Sequence, residues 1–229
     1  MNKKTGTISA VLTGIAVGML LLPAAAAAET QAYKQLSAQW WQWALSIPVG
    51  DNPLADATGE DCMVGQGGSD WFLAGVLEGS ATRTCTIPAG VNLFFPVANY
   101  FGVDTPNACG QDSTPLPSSF YRNLAADFVE GLTEVSASLD GAPIDRIRRV
   151  RSKVFWLALP EANLFAEACA PFGGLPAGIY SPAVDDGYYV RLNPLPPGAH
   201  TLILHAVNPA WGFTLDVTYN LTVVPVVKK

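Results

Sequence analysis

From Trp211 to Val224 every second residue is apolar. Trp211, Phe213, Leu215, Val217, Tyr219, Leu221 and Val223 alternate with Gly212, Thr214, Asp216, Thr218, Asn220 and Thr222. A period of two sustained that long predicts an antiparallel strand with one face on a core and the other in water. The same alternation recurs at Glu134–Asp140, where Val135, Ala137 and Leu139 face one way and an Asp140-Gly141 turn follows. Further strands are predicted at Trp71–Leu77 and Thr82–Ile87, joined as a hairpin across Glu78-Gly79-Ser80. Val91–Val97 is apolar on both faces and reads as a central strand. Residues 144–159 form a strand or bent pair, and Tyr188–Leu192 and His200–Val207 complete the set.

Two stretches carry the longer helical period instead. In residues 30–47, Tyr33, Leu36, Trp40, Trp43 and Ile47 recur at spacings of three and four, Thr30 stands at the cap position and Pro48 ends the run. In 118–132, Phe120, Leu124, Phe128 and Leu132 lie four apart behind Ser118 and Ser119. Short strands, frequent turns and no βαβ alternation predict a mainly β fold: an antiparallel β-sandwich, jelly-roll-like in variant, with two peripheral helices.

The first 28 residues carry a different pattern. Lys3 and Lys4 precede an apolar run from Ile8 to Leu22, Pro23 breaks it, and Ala24–Ala28 supply small residues. That order reads as a cleavable secretory signal over 1–28; the run is too short for a membrane anchor of about 20 residues. The expected product is one domain over 29–229, secreted or periplasmic. Loss of Lys3 and Lys4 moves the formal net charge from −6 to −8. An acidic chain argues against nucleic acid or an anionic bilayer as partner. Export also assigns the cysteines. Cys62, Cys85, Cys109 and Cys169 are even in number and lack metal-binding spacing, so two disulfides are expected. Of three pairings, Cys62–Cys85 with Cys109–Cys169 is favoured, since the first ties a loop to a nearby strand.

Candidate chemistry is sparse. There is no G-x-S-x-G elbow, and His200 and His205 stand on opposite faces of one strand. A glycosidase needs only two carboxylates, for which Asp185 and Asp186, read as a Gly-rich loop before Gly187, are one candidate and the acids of the 51–61 loop another. Asp51, Asn52, Asp56, Glu60 and Asp61 present oxygens that suit calcium, without an EF-hand spacing. Trp40, Trp41 and Trp43 are candidates for a sugar-stacking platform or for a helix docked on a sheet. Arg146, Arg148, Arg149 and Arg151, with Lys153, form a basic run suited to an anionic ligand or to neighbouring acids.

Three segments carry a resemblance. WWQWALSIP from Trp40, C-x-V-G-Q-x-G-x-x-W-F-L-A-G from Cys62 and R-x-C-x-I-P-A-G-x-x-L-F-F-P-V from Arg83 resemble a group of bacterial secreted proteins to which no activity is assigned. The resemblance implies export and a single domain, and no chemistry. The expectation is a non-catalytic binding or envelope-associated module, touching a glycan or envelope partner through its aromatics or its basic strand. A polysaccharide hydrolase using paired carboxylates is the alternative.

Overall fold

The computed structural model describes residues 21–77 and 79–226. Most of the expected leader, with Lys3 and Lys4, and the Glu78 position of the expected turn lie outside those residues. The chain begins with helix α1 (Leu21–Ser46), then strands β1 (Asp70–Phe72), β2 (Gly79–Pro88) and β3 (Asn92–Val103). Helix α2 (Ser118–Glu130) precedes β4 (Glu134–Leu139), β5 (Ala142–Pro143), β6 (Arg148–Arg151) and β7 (Phe155–Leu159). A short α3 (Ala166–Cys169) leads to β8 (Gly178–Leu192), β9 (Gly198–Asn208) and β10 (Phe213–Val224).

The strands form two sheets. In the first, the order is β1-β3-β8, with β6 and β7 both pairing to the far side of β8. In the second, the order is β2-β10-β9-β4-β5. The sheets stack through an apolar layer that includes Phe95, Val190, Leu202, Leu204, Val217 and Leu221, all essentially inaccessible. Burying each such side chain contributes about 1.5–3 kcal/mol. The alternation read along Trp211–Val224 holds from Phe213, with Leu215, Val217, Tyr219, Leu221 and Val223 facing that layer, while Trp211 lies in a 3-10 turn ahead of the strand and is exposed. The fold is therefore a mainly β sandwich with peripheral helices.

The expected hairpin at 71–87 does not form. β1 pairs parallel with β3, while β2 pairs parallel with β10 along Leu215–Val224, so the two strands belong to different sheets. The ten-residue ladder with β10 takes β2 into the other sheet. Arg83 ties it to the preceding segment: it faces inward at 1% exposure and its Nη1 donates to the carbonyls of Ala74 (2.7 Å) and Gly75 (2.8 Å), while its Nη2 meets no partner among the described residues. Two pairings are thus parallel, a departure from the antiparallel pattern expected.

Helix α1 covers the outer face of the first sheet, packing on β6, β7 and β8. It starts before Thr30, because the alanine run has the highest helix propensity of any residue type. Thr30 accordingly donates its hydroxyl to the Ala26 carbonyl inside the helix and caps nothing. Residues Ala25–Ala32 are exposed, and burial begins at Tyr33. At the other end, Asn52 Nδ2 donates to the carbonyls of Ala44 (2.7 Å) and Ile47 (2.8 Å), satisfying acceptors that a helix end leaves free. Helix α2 is turned relative to expectation. Tyr121, Ala125, Phe128 and Val129 are its buried residues and Phe120 is half exposed. Pro117, not a serine side chain, stands at its cap. Glycine 102 fixes that rotation: a Cβ there would lie 2.7 Å from Tyr121 Cβ, so only glycine admits the helix this close to β3.

The disulfides are Cys62–Cys85 and Cys109–Cys169, as the favoured pairing has it. The first pins the 51–68 loop to β2, and the second ties the 104–116 loop to α3.

Candidate functional site

The site arises where the first sheet runs out of strand. β1 covers only Asn92–Phe94, so among the described residues β3 has no partner strand on that flank from Phe95 to Val103. A cleft of about 490 Å³ follows the open flank and touches both faces of the sheet. On the outer face it is walled by Trp40, Trp41, Leu54, Phe101 and Phe165; on the inner face by Tyr100, Phe128, Trp211 and Phe213, with Leu124 and Tyr121 of α2 alongside.

Each wall is anchored. The 73–76 segment is held by the Leu73 amide donating to Phe94 O, by Trp40 Nε1 donating to Leu73 O (2.9 Å), and by the Tyr219 hydroxyl donating to Ala74 O (2.8 Å). Arg83, behind this segment, positions it. On the opposite side the Tyr121 hydroxyl donates to Asp104 (3.1 Å), whose Oδ1 also accepts from Gln111 (2.6 Å) and the Leu116 amide (2.9 Å). This shared carboxylate and burial push the Tyr121 phenol far up. The aromatics brace one another: Trp41 lies 4.3 Å from Phe101, Tyr100 5.1 Å from Trp211, and Phe128 5.5 Å from Trp211 between centroids. Trp211 is 41% exposed and forms the rim.

One polar relay reaches the cleft. Asn99 Nδ2 donates to the Tyr189 hydroxyl (2.9 Å), which donates to Asp185 Oδ2 (2.7 Å). Asp185 is 1% exposed and its Oδ1 meets no hydrogen-bond donor. Burial pushes its carboxyl up to about 7, against the hydroxyls of Tyr189, Ser152 and Ser37, which favour the ionised form. Asn99 faces Gly187 across the sheet, and a Cβ at Gly187 would collide with Asn99 Cβ and lie 2.8 Å from Asn99 Cα and 2.9 Å from Ala98 O. Glycine at 187 therefore admits the close approach of the β3 backbone beside the relay.

The predicted site residues are redistributed. Asp185 and Asp186 lie on β8, not in a loop, and successive strand residues point to opposite faces. Asp185 turns toward α1. Asp186 turns the other way, where Arg149 holds it through Nε (3.1 Å) and Nη2 (2.8 Å) and Arg151 through Nε (3.0 Å). This pairing raises the Arg149 guanidinium further. The two carboxylates thus leave the strand on opposite faces, although one small recess beside α2 touches both residues. The basic run divides the same way: Arg148 pairs with Glu29 (3.0 Å) and sits over the Tyr33 ring, Arg149 and Arg151 meet Asp186 and Glu130, and Arg146 is exposed. Trp40, Trp41 and Trp43 are all buried, as a helix docked on a sheet requires and a surface platform does not, and Trp40 and Trp41 reach the cleft as part of its wall. Trp43 Nε1 donates to Val64 O (2.9 Å) and the indoles pack beneath the sheet. In the 51–61 loop Asn52 is committed to capping α1, and Asp56 accepts from Thr58 and the Asp61 amide. These oxygens turn inward on their own loop, and among the described residues no cluster of three potential metal ligands occurs. His200 bonds Asp140 (2.7 Å), and His205 bonds Asp216 (2.7 Å) from the opposite face. Both carboxylates raise their histidines.

Arg83, Asn99, Tyr189 and Trp211 were not among the candidates. The glycines at 102 and 187, isolated within strands, were the one available signal, since such glycines mark close approaches. No family model, curated protein or solved structure matches the chain.

Proposed function

We propose that the protein is a non-catalytic binding module working outside the cytoplasm, with the cleft along β3 as its ligand site. The cleft carries the reading: a pre-formed, aromatic-walled recess with few polar groups and a buried, perturbed acid behind it is the usual form of a ligand site. Export after loss of residues 1–28 is supported by the two disulfides and by the exposed Ala25–Ala32 turns, which contribute nothing to the core. Among the described residues no helix is long and apolar enough to cross a membrane. The walls favour an apolar ligand over the glycan first expected, because they are mostly aromatic and aliphatic, while Arg148, Arg149 and Arg151 are engaged by Glu29, Glu130 and Asp186. A hydrolase of paired carboxylates finds less support in a strand that separates Asp185 from Asp186.

Titration of the purified, disulfide-bonded protein with N-phenyl-naphthylamine, a neutral apolar fluorophore, tests the reading. Saturable binding is expected, weakened about tenfold by Trp211→Ala, the loss of roughly 1.4 kcal/mol of aromatic contact. Absence of saturable binding overturns it, as does turnover of a polysaccharide that Asp186→Asn abolishes. N-terminal sequencing of the exported protein is expected to begin at Glu29; retention of residues 1–28 overturns the export proposal.

A further inference from the structure

The open flank of β3 offers more than an apolar surface, because its backbone hydrogen-bonding phase can be worked out. The Asp104 amide donates to Pro182 O across β8, and the register from Ala98↔Tyr188 to Val103↔Ala183 is unbroken. Backbone groups alternate sides along a strand. Ala98, Tyr100 and Gly102 therefore point to β8, and the N–H and C=O groups of Asn99, Phe101 and Val103 point to the open side. Before the irregularity at Pro96/Ala98 the phase is the opposite, with Phe94 O accepting the Leu73 amide across the β1 side. Pro96 therefore turns its missing N–H to the open flank and ends the pairing-competent stretch there.

Among the described residues no backbone or side-chain group hydrogen-bonds to Asn99, Phe101 or Val103 on this side. Three donors and three acceptors thus line the floor of an apolar cleft, on residues that are partly exposed, and covering them without partners is costly. A hydrocarbon ligand would cover them without satisfying them. The walls add a second constraint, since both faces of the edge are apolar: Trp41 and Phe165 stand on one, Trp211 and Phe213 on the other. A strand laid against this edge sends alternate side chains to opposite faces, and both sets would meet apolar partners.

We propose that the β3 edge receives an extended apolar peptide segment of about five or six residues, which adds a strand to the first sheet in line with β1. This deepens the binding reading and depends on it. The segment bonds to Asn99, Phe101 and Val103, and its side chains, apolar at both alternations, fill the cleft on either face.

The test uses the purified, disulfide-bonded protein and a pool of capped hexapeptides of Val, Ile, Leu and Phe flanked by lysines. Each member is matched by an analogue N-methylated at every residue, which keeps the side chains and removes the donors of both strand edges. Binding of the pool and failure of the N-methyl set are expected. Amide exchange at Asn99, Phe101 and Val103 should slow about tenfold or more on binding, with Tyr100 and Gly102 unchanged. Val103→Pro, which removes one open-side N–H and leaves the β8 ladder intact, should abolish that protection while the variant still binds N-phenyl-naphthylamine. Equal binding of methylated and unmethylated peptides overturns the proposal. So does binding of the fluorophore with no peptide bound, an outcome that leaves the binding reading standing; failure of both ligands removes both. Protection of the same amides without peptide, growing with protein concentration, assigns the edge to a second copy of the chain and likewise overturns the proposal.

Discussion

Replacing Asp185 by asparagine isolates the buried acid behind the cleft. In the unfolded chain this carboxyl titrates near its ordinary value of 3.8, and in the folded chain at about 7. Between those values the folded protein holds a proton that the unfolded chain has released. The native state binds more protons, so stability falls as pH rises through the window and is fully present below about pH 4. About three pKa units at 1.36 kcal/mol each put the total near 4 kcal/mol by pH 8. Asparagine is neutral throughout. Its amide oxygen can accept from Tyr189 as Asp185 Oδ2 does, and its NH2 takes the position of the oxygen that meets no donor. An unpaired buried amide costs about 1–3 kcal/mol, independent of pH. Asp185→Asn should therefore be less stable than the parent at pH 4 and more stable at pH 8. Urea unfolding followed by tryptophan fluorescence at intervals between those values checks this. His200 and His205, raised by their carboxylates, contribute stability that is present below their unfolded value and lost as pH rises through the folded one. That contribution is common to both proteins and cancels in the difference. A stability difference that stays constant from pH 4 to pH 8 would refute the assignment of a buried, protonated Asp185.

Other perturbations probe separate parts of the framework. Gly187→Ala should cost about 1–3 kcal/mol by overpacking against β3, and because a Cβ there would also lie 2.8 Å from Asn99 Cα and 2.9 Å from Ala98 O, the second change Asn99→Gly should recover little of it; full recovery in thermal unfolding would place the strain in the Asn99 side chain alone. Asp186→Asn removes the charged partner of Arg149 and Arg151 and should lower stability by about 2–3 kcal/mol in denaturant titration, whereas no loss would mean the pairs are solvent-equivalent. Paired Cys→Ala changes should cost about 3 kcal/mol for Cys62–Cys85, closing 23 residues, and about 4 for Cys109–Cys169, closing 60. A reversed order by chemical denaturation would show that loop closure in the unfolded chain is not the dominant effect.

What the sequence discloses and what it hides divide along a physical line. The face of β10, the indole stripe of α1 and the turn at Asp140-Gly141 are written in local periodicity, and the structure keeps them. The cysteine pairing follows from parity and proximity. The false hairpin arose because Gly79 and Ser80 have turn chemistry while the deciding partners of β2 lie elsewhere. Those partners are the carbonyls that Arg83 takes and a strand some 130 residues away. Asp185 and Asp186 looked like a solvated turn because acids beside glycine usually are one; Tyr189, Arg149 and Arg151 make them strand residues, and none of those contacts has a local signature. The cleft was hidden for another reason. It is defined by where β1 stops, and three residues of strand cannot be delimited from composition.

The position of β10 governs when this protein can fold. β10, the last strand among the described residues, lies inside its sheet, between β2 and β9, and among those residues β2 has no other neighbouring strand. Until residue 224 is available, β2 must wait unpaired, and half of the sandwich layer has nothing to close on. Such long-range pairing makes folding slow and puts the pairing of β2 after the synthesis of β10. A chain with this wiring remains threadable until β10 has been made, and loss of the twelve residues Phe213–Val224 removes the keystone of a sheet, not a trailing edge.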